Sequence, residues 1–423
     1  MTEGGVDPGN LGDLGDGVRV GVLFGWVSLL QDLGSKMVVP LVPLFLVIGL
    51  DASPLAVGVV DGVSTLMVAL VAPLAGRLAR PQRAVGLVRA GYAVSSIAKV
   101  ALAAAMAWPA VLAVRAFDRV GKGLRDPPRD LLLTAVSVER RGRVFGLQQA
   151  MDKVGGAAGP LVGLALYEMS GESFRTVFLV AGIPCMVSVA LLVWIPQRPR
   201  RAIEGAVDRL GAVGRSEPSS APRPRRSVPF TPAQRRVLIF LGLVSVLTVP
   251  TALVIVRAAG LGDDVATILA AFAGMRAATA LVAVPSGSAI DRWGPRRVVA
   301  FGYAVAAVGL AVAAAAPGSG WVLIALPILG AADGALRSGI KLWLVGLGSA
   351  DNRGRVLGDW GSLSSATGFV AAITMGALWG GDGQLPLAVA TLASALAAAV
   401  LVGSSLGAPS GSGRTQPLAS RRS

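Results

Sequence analysis

The chain has no histidine and one cysteine in 423 residues. The first absence removes an imidazole proton relay and the commonest metal ligand, so no metal site is expected. The second rules out an intrachain disulfide, and Cys185 lies in an apolar run where redox chemistry is not expected. Without histidine no Ser/His/Asp or Cys/His catalytic set can be built. No phosphate-cradling loop is present either: Gly121-Lys122-Gly123 lacks the preceding glycine spacing and the following Ser/Thr. The chain is therefore read as no enzyme, with no catalytic residues and no cofactor. Lysine is scarce as well. Of 39 basic residues only Lys36, Lys99, Lys122, Lys153 and Lys341 are lysines.

What the chain has in abundance is apolar length. Hydrophobic residues make up 53%, charged residues only 15%, and mean hydropathy is +0.67, with 55 glycines available for close helix packing. Stretches long enough to span a bilayer fall near residues 18–48, 54–76, 84–107, 108–134, 143–167 and 174–196. A second set follows near 237–257, 265–290, 297–316, 320–346, 355–379 and 384–406. The expected fold is an all-α membrane protein of twelve transmembrane helices in two six-helix bundles. By residue number the divisions are an N-terminal tail 1–17, a first bundle 18–196, a linker 197–236, a second bundle 237–406 and a tail 407–423. The linker is rich in Pro, Ser and Arg without apolar periodicity, which predicts a flexible segment.

The net charge of +15 could point to nucleic acid, but its distribution points elsewhere. Arginines gather in alternate loops, among them Arg77, Arg80, Arg83, Arg140, Arg292, Arg296, Arg297 and Arg353. The other loops hold Asp51, Glu168, Glu172, Asp263, Asp264 and Asp382 against only Arg175 and Arg257. This positive-inside bias places both termini in the cytoplasm and the protein in the cytoplasmic membrane, with the lipid bilayer as its surroundings and no nucleic-acid partner. The first sixteen residues lack the basic start of a cleaved signal peptide, so the first span is expected to remain as an anchor.

An internal repeat supports the division into halves. Arg141-Gly142-Arg143-Val144-Phe145-Gly146 recurs 212 positions later as Arg353-Gly354-Arg355-Val356-Leu357-Gly358. At the same offset Leu124-Arg125 maps to Leu336-Arg337 and Arg129 to Lys341, while Gly76 lies 211 residues before Gly287. Duplicated halves of this kind commonly enclose a site near the midplane and expose it to each side in turn.

With these features in place, the chain resembles a major facilitator superfamily carrier. Gly287-Ser288-Ala289-Ile290-Asp291-Arg292-Trp293-Gly294-Pro295-Arg296-Arg297 fits that family's GxxxDRxGxR loop. Arg115 to Asp130 is similar to a bacterial subgroup with RDRxGKGxRxxPRD in the fourth span. Gly155-Gly156-Ala157-Ala158-Gly159-Pro160-Leu161-Val162-Gly163 matches the GxxxGPxxG pattern of the family's drug/proton antiporters, though small-residue packing alone could account for it. The resemblance implies that Gly287, Asp291, Arg292, Gly294, Arg296, Gly155, Gly159, Pro160, Arg129 and Asp130 serve gating. It also exposes a departure: Arg80 stands where the family has an aspartate in the first-half loop. Either the latch is lost, or the charge pair is reversed between Arg80 and Asp359.

Ionisable side chains at membrane depth persist where they face a bundle interior or a water-filled path. The cavity and coupling candidates are Asp32, Lys36, Asp61, Arg115, Asp118, Arg119, Lys122, Arg125, Arg276, Asp333, Arg337 and Lys341. Asp32 and Lys36 share a helix face at i, i+4 and can neutralise one another. Asp32 is the first choice for carrying a proton, followed by Asp61 and Asp333. Asp333, Arg337 and Lys341 form a second-half counterpart of the fourth-span stripe. Basic residues outnumber acidic ones, which suggests an anionic substrate, while structural ion pairing is the competing account of many of these charges. The leading expectation is a monomeric, proton-coupled exporter of a small organic molecule. Uptake or facilitated diffusion of an anionic solute is the alternative, followed by a transporter-like receptor or assembly protein.

Overall fold

The computed structural model describes residues 8–79, 81–136, 141–195, 201, 203–205, 208, 230–348, 352–404 and 406. These residues contain helices and no strands. Helix α1 (Pro8–Val38) begins inside the stretch read as a tail and continues, after a break, into α2 (Leu41–Leu44) and a π-helical turn over Phe45–Gly49. The break falls at Pro40, whose ring removes a backbone donor and crowds the preceding turn. α3 (Pro54–Leu78) starts from a Ser53 cap, α4 spans Pro81–Leu102, α5 Trp108–Val136, α6 Arg141–Met169, and α7 (Phe174–Val193) starts from Ser173.

The second half repeats the plan. α8 (Pro232–Val246) opens with a capping box between Thr231 and Gln234, and its span is interrupted before Pro250 and resumed as α9 (Thr251–Gly260). α10 (Val265–Trp293), α11 (Pro295–Ala315), α12 (Val322–Gly346), α13 (Arg353–Ala377) and α14 (Gln384–Gly403) follow. From α3 onward corresponding helices start 210–214 residues apart, as in Arg141 of α6 and Arg353 of α13. Among the described residues nine helical segments are long and apolar enough to cross a membrane, counting α1 to Gly49 and α8 to α9 as one each. The helices that fall short are α5, α6 and α13, which carry the charged and glycine-rich motifs.

The arginine-rich loops mark a basic face and the acid-bearing loops an acidic face. Helix ends at both faces are closed by buried or half-buried arginines bonded to terminal carbonyls, which otherwise lack partners. At the acidic face Arg175 donates to the Ala103 and Ala105 carbonyls at 2.6 and 3.0 Å, closing the end of α4. Arg257 does the same for α11, reaching Ala313 and Ala314 at 3.5 and 3.4 Å and the Asp382 carboxylate at 3.0 Å. The two arginines that break the charge rule of this face are thus helix caps. At the basic face Arg89 donates to Leu192 at the end of α7 (2.9 Å), and Arg296 donates to Leu401 at the end of α14 (2.6 Å).

The halves meet where α3 packs on α13 and α6 on α10, two crossings related by the repeat. A Cβ on Gly58 would collide with the Ala372 carbonyl, and one on Gly376 would lie 3.0 Å from the Pro54 carbonyl. Toward the acidic face a single apolar core includes Leu41, Leu44 and Val57 from the first half and Leu253, Ile268 and Met375 from the second. Toward the basic face the cores separate, one around Phe24, Val88 and Tyr92, the other around Leu241, Tyr303 and Trp343. Ile203, in the linker, is buried in the first of these. The space between the halves is therefore sealed at the acidic face and parted at the basic face, where Asp130, Arg337 and Asp359 are 54%, 70% and 51% exposed.

Candidate functional site

α5 is the most polar of the long helices, and its two faces have different fates. Its glycines bring it close to its neighbours: Gly121 and Gly91 of α4 face one another so tightly that a Cβ on either would lie 2.7 or 2.6 Å from the other's carbonyl oxygen. Gly123 meets Val71 of α3, where a Cβ would lie at 2.8 Å. The two glycines flanking Lys122 thus allow α5 to pack against two helices at once.

The face toward α4 carries a buried charge network. Asp118 lies 3.1 Å from Lys99 Nζ, 3.5 Å from Arg115 and 3.9 Å from Arg119. Ser95 holds the network to the backbone, donating to the Asp118 carbonyl at 3.0 Å, while Lys99 donates to the Ser95 carbonyl at 3.0 Å. The amide of Gln31 in α1, oriented to satisfy its neighbours, accepts from Arg125 (3.1 Å) and Lys99 (3.3 Å) and donates to Ser188 (3.1 Å). Arg125 also lies 4.5 Å over the Tyr92 ring. These contacts knit α1, α4, α5 and α7 together, and Arg115 extends from the network to the space between the halves.

The other face of α5 joins a cluster at the centre. Lys36 is within electrostatic range of Asp32, Lys122, Arg119 and, from the second half, Arg276. Asp152 of α6 is within range of both Asp32 and Lys36. Among the described residues Asp32 and Lys36 make no ion pair within 4.0 Å, despite their helical spacing. Gly159 of α6 packs on the Lys36 stem, where a Cβ would lie 2.6 Å from Lys36 Cβ, and a Cβ on Gly156 would lie 3.7 Å from Asp32 Oδ2. Gly155 and Gly163 continue this seam against Leu29 and Met37. The glycine pattern of α6 therefore packs within the first half, on the helix that carries Asp32 and Lys36. The Nε atoms of Arg276 and Arg115 are buried without a hydrogen-bond partner.

Above this cluster, on the acidic side, lies a cavity of about 180 Å³ lined by both halves. Val42, Leu46, Ile255 and Phe272 make it apolar, and among the described residues that line it the charged ones are Asp61 and Arg115.

The remaining candidates distribute as follows. Asp333 and Arg337 form an ion pair at 2.7 Å on α12, with Arg337 and Lys341 exposed toward the parted side. Arg129 pairs with Asp130 at 3.0 Å and with Asp126 at 3.7 Å. Gly287, Asp291, Arg292 and Gly294 lie at the exposed end of α10, Gly294 with a positive φ of 82° as its cap. Arg80 is outside the described residues, and Asp359 lies 3.6 Å from Arg355 of its own helix. Pro160 sits within α6 beside Gly159. Gln31, Tyr92, Ser95 and Ser188 were not singled out by sequence reasoning. Gln31 is adjacent to Asp32, and a polar amide in an apolar run was the available clue.

Helices broken near the centre, halves related by a repeat and ionisable groups around an enclosed space define a multi-pass membrane transport protein. The family model described as Major Facilitator Superfamily matches residues 24–273, and the chain belongs to that family. Similar proteins include the uncharacterized MFS-type transporter MJ1317 of Methanocaldococcus jannaschii, 26% identical over 193 residues, 45% of this chain and 48% of that protein. The match thus spans about half the length of that relative. The uncharacterized protein Rv2265 of Mycobacterium tuberculosis is 32% identical over 285 residues, 66% of this chain and 67% of its own. In fold the chain is similar to the nucleoside transporter NupG, with a TM-score of 0.72 at 12% identity over 90% of this chain and 98% of that one. A POT family transporter in complex with thioalcohol conjugated peptide gives 0.66 at 12% identity over 91% and 95%.

Proposed function

We propose that the protein carries a small organic anion together with a proton across the cytoplasmic membrane by alternating access. The observation that carries this reading is the central cluster, where Lys36, Arg119, Lys122 and Arg276 are contributed by both halves. A carboxylate or phosphate bound there replaces lost hydration with charge-assisted hydrogen bonds, and the unpartnered Nε of Arg276 gives it one such donor. Asp32 is the proton carrier. Anion and proton bring compensating charges to one cluster, so substrate and proton favour one another's binding. Both then cross in the same direction, inward under the usual proton gradient. The positive-inside rule assigns the basic face to the cytoplasm, with both termini there, and the parted basic side is then the inward-open state.

Proton-antiport export is the second reading, and the GxxxGPxxG glycines of α6 favour it. Their packing on α1 supplies a structural reason for the same residues, so the charge arrangement takes precedence. Reconstituted liposomes with a luminal pH dye distinguish the two. Adding pooled organic anions outside should acidify the lumen under symport and make it alkaline under antiport. Asp32→Asn should abolish the pH response. No response to any anionic pool, with a response to cationic ones, would sink the anion reading.

A further inference from the structure

The side of the second half away from the first carries an open groove of about 700 Å³ between α11 and α14, at the basic face. Its upper end is lined by Arg296 and Arg297 and its lower part by Phe301, Ala304, Ala398 and Val402. Phe301 and Val402 are 65% and 78% exposed, a wide apolar strip with no protein over it among the described residues. Among the described residues the main packing partners of α11 are α10, α12 and α14, all of the second half, so this flank is directed toward the bilayer. The strip alone is ordinary lipid-facing surface. The arginines at its head are not ordinary, because they sit on the first turn of α11, just after Pro295, where the helix dipole also favours an anion.

Arg296 is committed in part. Its Nη2 donates to the Leu401 carbonyl at 2.6 Å and thereby ties the head of α11 to the end of α14, fixing the groove's width. Arg297 is exposed beside it. A rigid two-helix groove, a double guanidinium at the depth of the headgroups and an apolar floor running toward the hydrocarbon match one ligand, a phospholipid with a net negative headgroup. We infer that this groove binds an anionic phospholipid, its phosphate on Arg297 and the head of α11 and an acyl chain along Phe301, Ala304 and Val402. Basic pockets between membrane helices at the cytoplasmic side hold such headgroups by the same combination of charge and apolar contact. The inference stands apart from the transport reading, since the groove lies away from the space between the halves.

Native mass spectrometry of the full-length protein, released from detergent with equal phosphatidylglycerol and phosphatidylcholine, tests it. The protein should retain at least one phosphatidylglycerol several-fold in preference to phosphatidylcholine. Arg297→Glu should abolish that preference, and Ala304→Phe, which fills the groove without changing charge, should reduce retention several-fold. Arg77→Glu, elsewhere on the basic face, should leave it intact. Equal retention of both lipids by the unmodified protein, or equal loss in the Arg297 and Arg77 variants, would overturn the assignment. Elution of the variants at the same volume as the unmodified protein in gel filtration guards against misfolding.

Discussion

Lys99 Nζ lies 3.1 Å from Asp118 Oδ1 inside the first half, with 4% and 11% of the two side chains exposed. The pair is the centre of a network in which one carboxylate faces Lys99, Arg115 and Arg119. Removing Asp118 strands several buried cations, whereas removing Lys99 leaves Asp118 with two arginines. Breaking a buried pair by taking out one partner costs about 3–5 kcal/mol. Asp118→Asn should therefore lower the unfolding midpoint in detergent by more than Lys99→Met does. The opposite order would mean that Asp118 is not the hub.

At the acidic face Asp382 accepts from the Gln384 N–H at 3.2 Å and pairs with Arg257 at 3.0 Å. These contacts, the backbone hydrogen bond foremost, hold its carboxyl below the usual value of 3.8. A carboxyl depressed in the folded state contributes stability above its unfolded pKa and loses it as pH falls through the folded one. Stability should thus decline below about pH 4 in part through this group. Asp382→Asn should flatten that part of the acid limb, which thermal unfolding followed from about pH 5 down to about pH 2 would reveal.

The seal between the halves depends on Gly58, whose missing side chain lets α3 meet the Ala372 carbonyl of α13. Gly58→Leu should prevent that approach and favour the state open to the acidic face. Ala252 lines the cavity behind the seal, and Cys185, the single native cysteine, is buried. Ala252→Cys should then label with an impermeant maleimide from the acidic face several-fold faster in the Gly58→Leu background. Unchanged labelling would show that the crossing does not control access.

Asp359 is within 3.6 Å of Arg355 on its own helix while the basic face is parted. A reversed latch to Arg80 would form when that face closes. Transport lost in Arg80→Asp and in Asp359→Arg should return when the two are combined, whereas additive loss would count against the pairing.

How much of this was legible beforehand varies with what each feature depends on. Helix positions follow from apolar length, and the start of α6 at Arg141 and of α13 at Arg353 reproduces the repeat read from the sequence. The environment of each charge does not follow from its place in the repeat. Arg125 and Arg337 are equivalent by offset, yet Arg125 is buried over Tyr92 and Arg337 is 70% exposed. The difference comes from partners on other helices. Gln31 of α1 holds Arg125 and is itself held by Lys99 of α4 and Ser188 of α7, and no spacing within α5 reports them. At the position equivalent to Asp118 the second half has Gly330, which instead allows α12 to touch Met275 of α10. The i, i+4 spacing of Asp32 and Lys36 was visible. That the Lys36 stem would be held by Gly159 was not, because it depends on how α1 and α6 cross.

On the proposed mechanism an anion and a proton occupy one cluster and cross together, the anion on Lys36 and Arg276, the proton on Asp32. Once an active anion is identified, liposomes bearing the Asp32→Asn protein separate the two roles. This variant should still exchange labelled for unlabelled anion across the membrane, while luminal acidification on net anion entry should disappear and Arg276→Gln should abolish both. Acidification that persists in Asp32→Asn, or exchange that survives in Arg276→Gln at unchanged affinity, would contradict it.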